Sequence, residues 1–146
     1  MEPIQVLLVD DEPKILRGLR MRLNVEPDIR VVGEASDGST AIDMASLLAP
    51  DVVLMDVNMP VMDGIAATRE LLARLPASAV VMLSLHDDNG TMNSALAAGA
   101  TAFVAKHQMD DSLLTAIRQA ARKGAHLIDG SNEPGSNNNE EQGGQE

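Results

Sequence analysis

The sequence Ile4-Gln5-Val6-Leu7-Leu8-Val9-Asp10-Asp11 places two carboxylates directly after an apolar run. A second run, Asp51-Val52-Val53-Leu54-Met55, is followed by Asp56. Short and nearly continuous apolar runs are typical of strands that are buried on both faces of a parallel sheet. If these two strands are neighbours, Asp10, Asp11 and Asp56 meet at one edge of the sheet. Carboxylates that close repel one another unless a hard cation lies between them, so the sequence predicts a Mg²⁺ site.

Strand-like and helix-like segments alternate five times along the chain. The predicted strands are 4–9, 30–34, 51–55, 79–83 and 101–105, and the predicted helices are 13–24, 38–48, 64–75, 88–98 and 110–123. Such alternation predicts an α/β fold, a doubly wound parallel sheet with right-handed crossovers and helices on both faces. Gly124 is predicted to end the last helix. Ligand sites in such sheets lie at the carboxyl ends of the strands, beside the topological switch point.

Length and charge limit the possible domain organisation and the possible classes of binding partner. The 146 residues fit one domain. Residues 1–130 are predicted to be the folded unit, and residues 131–146 a disordered tail or a truncated interdomain linker, because they contain no large apolar residue. The net charge is −11, of which −4 belongs to residues 131–146. Phosphate contacts need clustered Lys and Arg, so we expect this chain to bind no nucleic acid.

Cellular location is predicted from what the sequence lacks. Cysteine is absent, which excludes disulfides and thiolate metal sites and fits a reducing compartment. The first acids come before any long apolar stretch, so no signal peptide is visible. No run approaches the roughly 20 apolar residues that span a bilayer. We therefore expect a cytoplasmic protein that does not enter membranes.

Several short motifs, in order and each at a predicted strand end, resemble the receiver domain of two-component response regulators. The resemblance covers about residues 4–124 and rests on Val9-Asp10-Asp11-Glu12-Pro13, Met55-Asp56-Val57-Asn58-Met59-Pro60-Val61-Met62-Asp63-Gly64, Leu83-Ser84, Gly99-Ala100 and Phe103-Val104-Ala105-Lys106. The stretches 83–86 and 98–103 are most similar to the subfamily that carries a C-terminal LuxR/FixJ-type helix-turn-helix domain. The resemblance implies a flavodoxin-like sheet of five parallel strands, in the order 2-1-3-4-5, with five helices.

The resemblance also implies a phosphorylation site. Asp56 would accept a phosphoryl group from a sensor histidine kinase, and the domain would catalyse only its own phosphorylation and dephosphorylation, not an external reaction. Lys106 would place a point charge on the phosphoryl oxygens. Ser84 would donate a hydroxyl hydrogen bond to the same group and act with Phe103 as a conformational switch. Phosphorylation would change the surface of the fourth helix, fifth strand and fifth helix, and would promote a homodimer.

The metal ligands and the residues that set the phosphate lifetime are implied in the same way. Mg²⁺ would be held by Asp11, Asp56, the backbone carbonyl of Asn58 and waters, with Asp10 binding the ion or orienting a water. Asn58 and His86 match positions that tune hydrolysis of the acyl phosphate. The output would be transcription, through a DNA-binding domain that is absent from this chain.

Two residues depart from the family pattern. His107 stands where a proline in a cis peptide usually follows the lysine, and a non-proline cis bond costs about 3–4 kcal/mol, so this bond is either trans or strained. Leu85 replaces a residue that is often alanine, and its larger side chain would crowd the mouth of the site.

Other interpretations of the same residues stay open at this point. A degenerate receiver that only binds partners is compatible with Leu85 and His107. An aspartate-nucleophile phosphatase would need a second acid two residues after the nucleophile, where this chain has Asn58. A flavodoxin-like cofactor binder would need a phosphate loop where this chain has the run of acids that starts at Asp10. Taken alone, Asp10 is also compatible with a helix cap, Ser84 with a turn and Lys106 with a surface lysine.

Overall fold

Five parallel strands form one sheet, and helices connect them. The structure is a computed structural model that describes residues 2–85, 88–106 and 111–129, with side chains described through residue 123. The strands are β1 (Ile4–Val9), β2 (Ile29–Ala35), β3 (Val52–Asp56), β4 (Ala79–Ser84) and β5 (Ala102–Ala105). The helices are α1 (Pro13–Asn24), α2 (Gly38–Leu48), α3 (Gly64–Arg74), α4 (Asn89–Ala97) and α5 (Asp111–Asp129). The strand order is β2-β1-β3-β4-β5, which confirms the predicted fold class.

Every central strand is buried on both faces, because successive side chains point to opposite helix layers. In β1, Val6 and Leu8 pack in the layer that contains α1 and α5, whereas Leu7 and Val9 pack in the layer that contains α2, α3 and α4. A shift of one residue in register would exchange the two layers, so the register is strongly specified. The strand ends that carry the acids are therefore held level with one another.

Three aspartates fix the starts of the helices on one side of the sheet. Asp37, Asp63 and Asp88 precede α2, α3 and α4, and each accepts a hydrogen bond from the backbone N–H three residues later, at 2.8, 2.9 and 2.8 Å. Such caps satisfy N–H groups that a helix start leaves unpaired, and each contributes about 1 kcal/mol. The cap at Asp63 also ends the loop that begins at Asp56.

The last helix is longer than predicted. Gly124 was expected to end it, but α5 continues to Asp129. A glycine inside a helix costs only about 1 kcal/mol relative to alanine, and the residues after it include good helix formers such as Ala125 and Leu127. The other element bounds differ from the prediction by at most one residue. None of the helices in the described residues is both long and apolar enough to cross a bilayer.

One exposed valine carries backbone strain that can be relieved. Val61, in the loop between β3 and α3, has φ of 71° and a fully exposed side chain. A left-handed conformation costs a non-glycine residue about 1–2 kcal/mol. We therefore expect Val61→Gly to raise the free energy of unfolding by about 1 kcal/mol, measured by urea denaturation. Val25→Gly is the matched control, since Val25 is also exposed but has φ of −84°, and that substitution is expected to bring no gain.

Candidate functional site

The predicted acids meet at the carboxyl edge of the sheet. Asp10 follows β1 and Asp56 ends β3, and the pairing of Val9 with Met55 brings these two positions side by side. Carboxylate oxygens of Asp10, Asp11 and Asp56 all lie within 4.8 Å of one another. The Asp10 side chain is fully buried, Asp56 is 2% exposed and Asp11 is open to solvent. The inner part of the cluster is thus buried, and its outer part is open to solvent.

Lys106 reaches the acids from the edge strand of the sheet. It follows β5, and its side chain passes the end of β4 to reach both buried carboxylates. Its Nζ atom lies 2.8 Å from Oδ2 of Asp10 and 3.2 Å from Oδ1 of Asp56. The ammonium group is itself almost completely buried. This placement does not fit the alternative that Lys106 is an ordinary surface lysine.

The buried cluster perturbs its own ionisation. Burial raises the pKa of Asp56 to about 6, and the neighbouring charge of Asp10 adds to that increase, while Lys106 and the N–H of Asn58 oppose it. For Lys106, burial lowers the pKa, but the hydrogen bonding and charge of Asp10 and Asp56 outweigh burial, so the net pKa is raised. The lysine therefore stays positively charged, whereas the Asp56 carboxyl is partly protonated near neutral pH when no further cation is present.

The donor set fits a hard divalent cation. Oδ1 of Asp10 accepts the N–H of Glu12 at 2.9 Å, but Oδ2 is buried with no hydrogen-bond partner among the described residues. Oδ2 forms an ion pair with Nζ of Lys106 at 2.8 Å. Three ionised carboxylates and one ammonium leave two negative charges, which Mg²⁺ would neutralise with oxygen ligands of its preferred kind. Helix α1 begins at Pro13 with Glu12 before it, so Asp10 does not stand at the cap position.

Ser84 lies between the acid and the lysine. It is the last residue of β4 and is fully buried. The residue before it pairs with Asp56, and Ser84 itself pairs with Ala105, which directly precedes Lys106. The strand register therefore brings the predicted nucleophile, hydroxyl and ammonium to one edge of three adjacent strands.

The other predicted site residues lie less close to the cluster of acids, or fall outside the residues that the structure describes. Asn58 is exposed, and its N–H donates to Oδ1 of Asp56 at 3.2 Å. Phe103 is half-buried and packs against the layer that contains α2, α3 and α4. Leu85 is 64% exposed beside the site. His86 and His107 fall outside the described residues, so the tuning role of His86 and the geometry of the Lys106–His107 peptide stay predictions.

Gly64 supports the site in a way that sequence analysis missed. The sequence identifies it only as the last residue of a motif and the start of a predicted helix. A Cβ atom at this position would lie 1.9 Å from the carbonyl oxygen of Asp56 and 2.8 Å from its carbonyl carbon. The N–H of Gly64 also donates to the carbonyl of Val57 at 2.8 Å. The backbone of the predicted nucleophile thus rests directly on the first residue of α3, where only glycine fits.

Comparison with known proteins agrees with this arrangement. The family model for the response regulator receiver domain matches residues 6–118. The chain belongs to this family. The match confirms the family predicted from the motifs.

Relatives of this receiver domain include transcriptional regulators. It is 36% identical over 124 residues to the transcriptional regulatory protein DegU of Brevibacillus brevis, covering 85% of this chain and 52% of that protein. It is 37% identical over 120 residues to the nitrate/nitrite response regulator NarL of Escherichia coli, covering 82% of this chain and 56% of that protein. These relatives confirm the predicted subfamily. The chain spans about half the length of the curated relatives it matches.

Solved structures show the same fold. The signal receiver domain of a NarL response regulator from Mycobacterium tuberculosis has a TM-score of 0.80 and 30% identity, and the match covers 84% of this chain and 98% of that one. A response regulator domain of CheB from Thermotoga maritima has a TM-score of 0.76 and 34% identity, with 83% and 98% covered. Both matches cover nearly the whole of the solved receiver domains, which agrees with the fold of this chain.

Proposed function

We propose that this receiver accepts a phosphoryl group on Asp56 from the phosphohistidine of a sensor histidine kinase. The observation that carries the proposal is a buried carboxylate, Asp56, that stands between the ammonium of Lys106 and the carboxylates of Asp10 and Asp11. Phosphoryl transfer depends mainly on positioning and on neutralising the charge of the phosphoryl oxygens. This cluster provides an oxygen nucleophile with one resident cation and a place for a second.

The transfer step requires only one new bond at Asp56. A carboxylate oxygen of Asp56 attacks phosphorus, the P–N bond of the phosphohistidine breaks, and the imidazole nitrogen keeps the electron pair and takes up a proton. Lys106 exchanges its contact with Asp56 for one with a phosphoryl oxygen, while Ser84 donates its hydroxyl hydrogen to another. A bound Mg²⁺ would neutralise charge on the carboxylates and on the phosphoryl oxygens.

The proposed metal ligands are Asp10, Asp11, Asp56 and the backbone carbonyl of Asn58, completed by water. One similar solved structure, with a TM-score of 0.74 and 25% identity, is a CheX–CheY complex from Borrelia burgdorferi that contains BeF3 and Mg²⁺. That content supports a magnesium-dependent reaction in this receiver as well. Position 58 carries an amide instead of a second acid, which supports self-phosphorylation over turnover of external substrates.

Output is proposed to pass through the surface formed by α4, β5 and α5. Ser84 ends β4, and Lys106 directly follows β5. Their movement toward the phosphoryl group would therefore change the packing of Phe103 and of the neighbouring helices. We propose that phosphorylation favours a homodimer through this surface and controls transcription in the cytoplasm through a DNA-binding domain outside this chain. The transcriptional regulators among the relatives support this output.

A phosphorylation experiment tests the proposal. The chain is incubated with acetyl phosphate and Mg²⁺, and its intact mass is measured. One phosphoryl group is expected on the wild type, and none on Asp56→Asn or after the metal is removed with a chelator. Asp43→Asn removes an exposed carboxylate in α2 and should be phosphorylated like the wild type. A wild type that gains no phosphoryl group from acetyl phosphate or from a phosphorylated kinase domain would contradict the proposal.

A further inference from the structure

A groove lies at the edge of the sheet opposite the phosphorylation site. It has a volume of about 810 Å³, and its walls come from the start of β1, the α2–β3 and α3–β4 connections and the middle of α5. Ile4, Pro50, Leu75 and Pro76 are among its apolar residues. The groove is open enough to admit a small molecule and is separate from the acids at the other ends of the strands.

The arginines of this groove differ in the ion pairs that they form. The guanidinium of Arg118 is held by Asp28 at 2.8 and 3.0 Å and by Glu26 at 2.7 Å. Arg74 pairs with a glutamate on its own helix. Arg122 is exposed and has no ion pair among the described residues, so it is the wall cation most available to a small anion. The other acids of the wall are Glu2 and Asp51, and Oδ2 of Asp51 accepts the N–H of Gln5.

The next residue of α5, Lys123, contacts a residue of the groove through its amine. Lys123 is half-buried, and its Nζ atom donates to the carbonyl oxygen of Ser78, a residue of the groove, at 3.0 Å. In the part of the chain that the structure describes, Lys123 has no carboxylate partner. Burial alone lowers the pKa of this lysine. A carbonyl oxygen accepts a hydrogen bond from either a neutral amine or an ammonium group. This contact therefore does not stabilise the protonated form of Lys123 as a carboxylate would.

The three lysines of the chain differ in their burial and in the groups that surround their amines. Lys106 is buried between two carboxylates that keep it protonated. Lys14 lies on the exposed side of α1. Lys123 alone combines partial burial with a neutral acceptor. Because acylation requires the unprotonated amine, Lys123 is the lysine best prepared to react with an acyl donor.

We propose that Lys123 is an acylation site for small acyl phosphates, which approach through the groove beside Arg122. The neutral amine of Lys123 attacks the carbonyl carbon of the donor. The bond from that carbon to the phosphate oxygen breaks, inorganic phosphate leaves with the electron pair, and the nitrogen loses a proton to water. The product is an amide that can still donate its remaining N–H to the carbonyl of Ser78. This inference does not depend on the proposed function.

The test uses the full chain, acetyl phosphate as the probe and peptide mapping by mass spectrometry. The acylation rate is proportional to the unprotonated fraction of the amine, so we expect Lys123 to be acetylated faster than the exposed Lys14. Lys123→Arg should lose this modification and keep its fold, because arginine also reaches a carbonyl but is not acylated. Equal rates at Lys123 and Lys14, or faster reaction at Lys14, would overturn the proposal.

A second arm tests the role of the phosphate group of the donor. Arg122→Gln should reduce the preference for Lys123 with acetyl phosphate but not with the uncharged N-hydroxysuccinimide ester of acetic acid. A preference that is the same for both reagents and unchanged by Arg122→Gln would overturn the assignment to acyl phosphates. The same sample reports on Asp56 separately, because a phosphoryl group and an acetyl group differ in mass and fall on different peptides.

Discussion

Gly64→Ala is expected to lower the free energy of unfolding by about 3 kcal/mol or more, at the upper end of what overpacking costs. The added methyl group would lie 1.9 Å from the carbonyl oxygen of Asp56, 2.8 Å from its carbonyl carbon and 3.0 Å from Cα of Val57. All three atoms belong to the backbone, so no side chain can rotate to make room. Either α3 must move away from the sheet or the end of β3 must shift.

Both adjustments would also disturb the proposed phosphorylation site. The carbonyl of Asp56 belongs to the residue whose carboxylate contacts Lys106, and a backbone shift there moves the nucleophile relative to a fixed cation. We therefore expect the folded fraction of Gly64→Ala to accept phosphoryl groups more slowly than the wild type. The two effects are measured separately, by urea denaturation and by phosphorylation per folded molecule.

Gly18→Ala is the matched control for this substitution. Gly18 lies inside α1, and a Cβ built on it meets nothing within 4 Å. Replacing a helical glycine with alanine in open space should raise stability by about 0.5–1 kcal/mol. A Gly64→Ala variant as stable as the wild type would show that the close approach to Asp56 is not a constraint on the fold.

The sequence predicted the sheet and the cluster of acids because both depend on local patterns. A buried strand requires a continuous apolar run, and a parallel sheet places the residue after each run at the same edge, so Asp10 and Asp56 were identified correctly as neighbours. The role of Gly64 depends on a contact across a loop of seven residues, which no periodicity reveals. The extension of α5 past Gly124 was missed because one glycine weakens a helix without ending it.

Asp56→Asn is expected to raise the free energy of unfolding by about 3 kcal/mol above neutral pH when no divalent cation is present. Asp56 has an ordinary pKa of 3.8 in the unfolded chain and a pKa of about 6 in the folded one. Burial is the main cause and the charge of Asp10 the next. Ionising this side chain is therefore harder in the folded protein than in water, and an amide of nearly the same shape avoids that cost.

The sign of the pH dependence follows from the direction of the shift. Between pH 3.8 and about 6 the folded protein binds more protons at Asp56 than the unfolded chain does, so the contribution of Asp56 to stability falls as pH rises through this window. Below the window both forms are protonated and the penalty disappears. The stability difference between Asp56→Asn and wild type should thus be small at the acidic end, grow through the window and stay constant above it.

Magnesium should reverse the advantage of the substitution. A cation that binds the folded wild type and not the unfolded chain adds stability that rises with its concentration. Removing the Asp56 carboxylate leaves one negative charge fewer for the ion, so Mg²⁺ should stabilise the wild type more than Asp56→Asn. Urea denaturation across the pH range, with and without Mg²⁺, measures both effects, and Asp43→Asn should follow the wild type throughout. If Asp56→Asn is less stable than the wild type in the metal-free protein above neutral pH, then the buried acid is not the source of strain in this site.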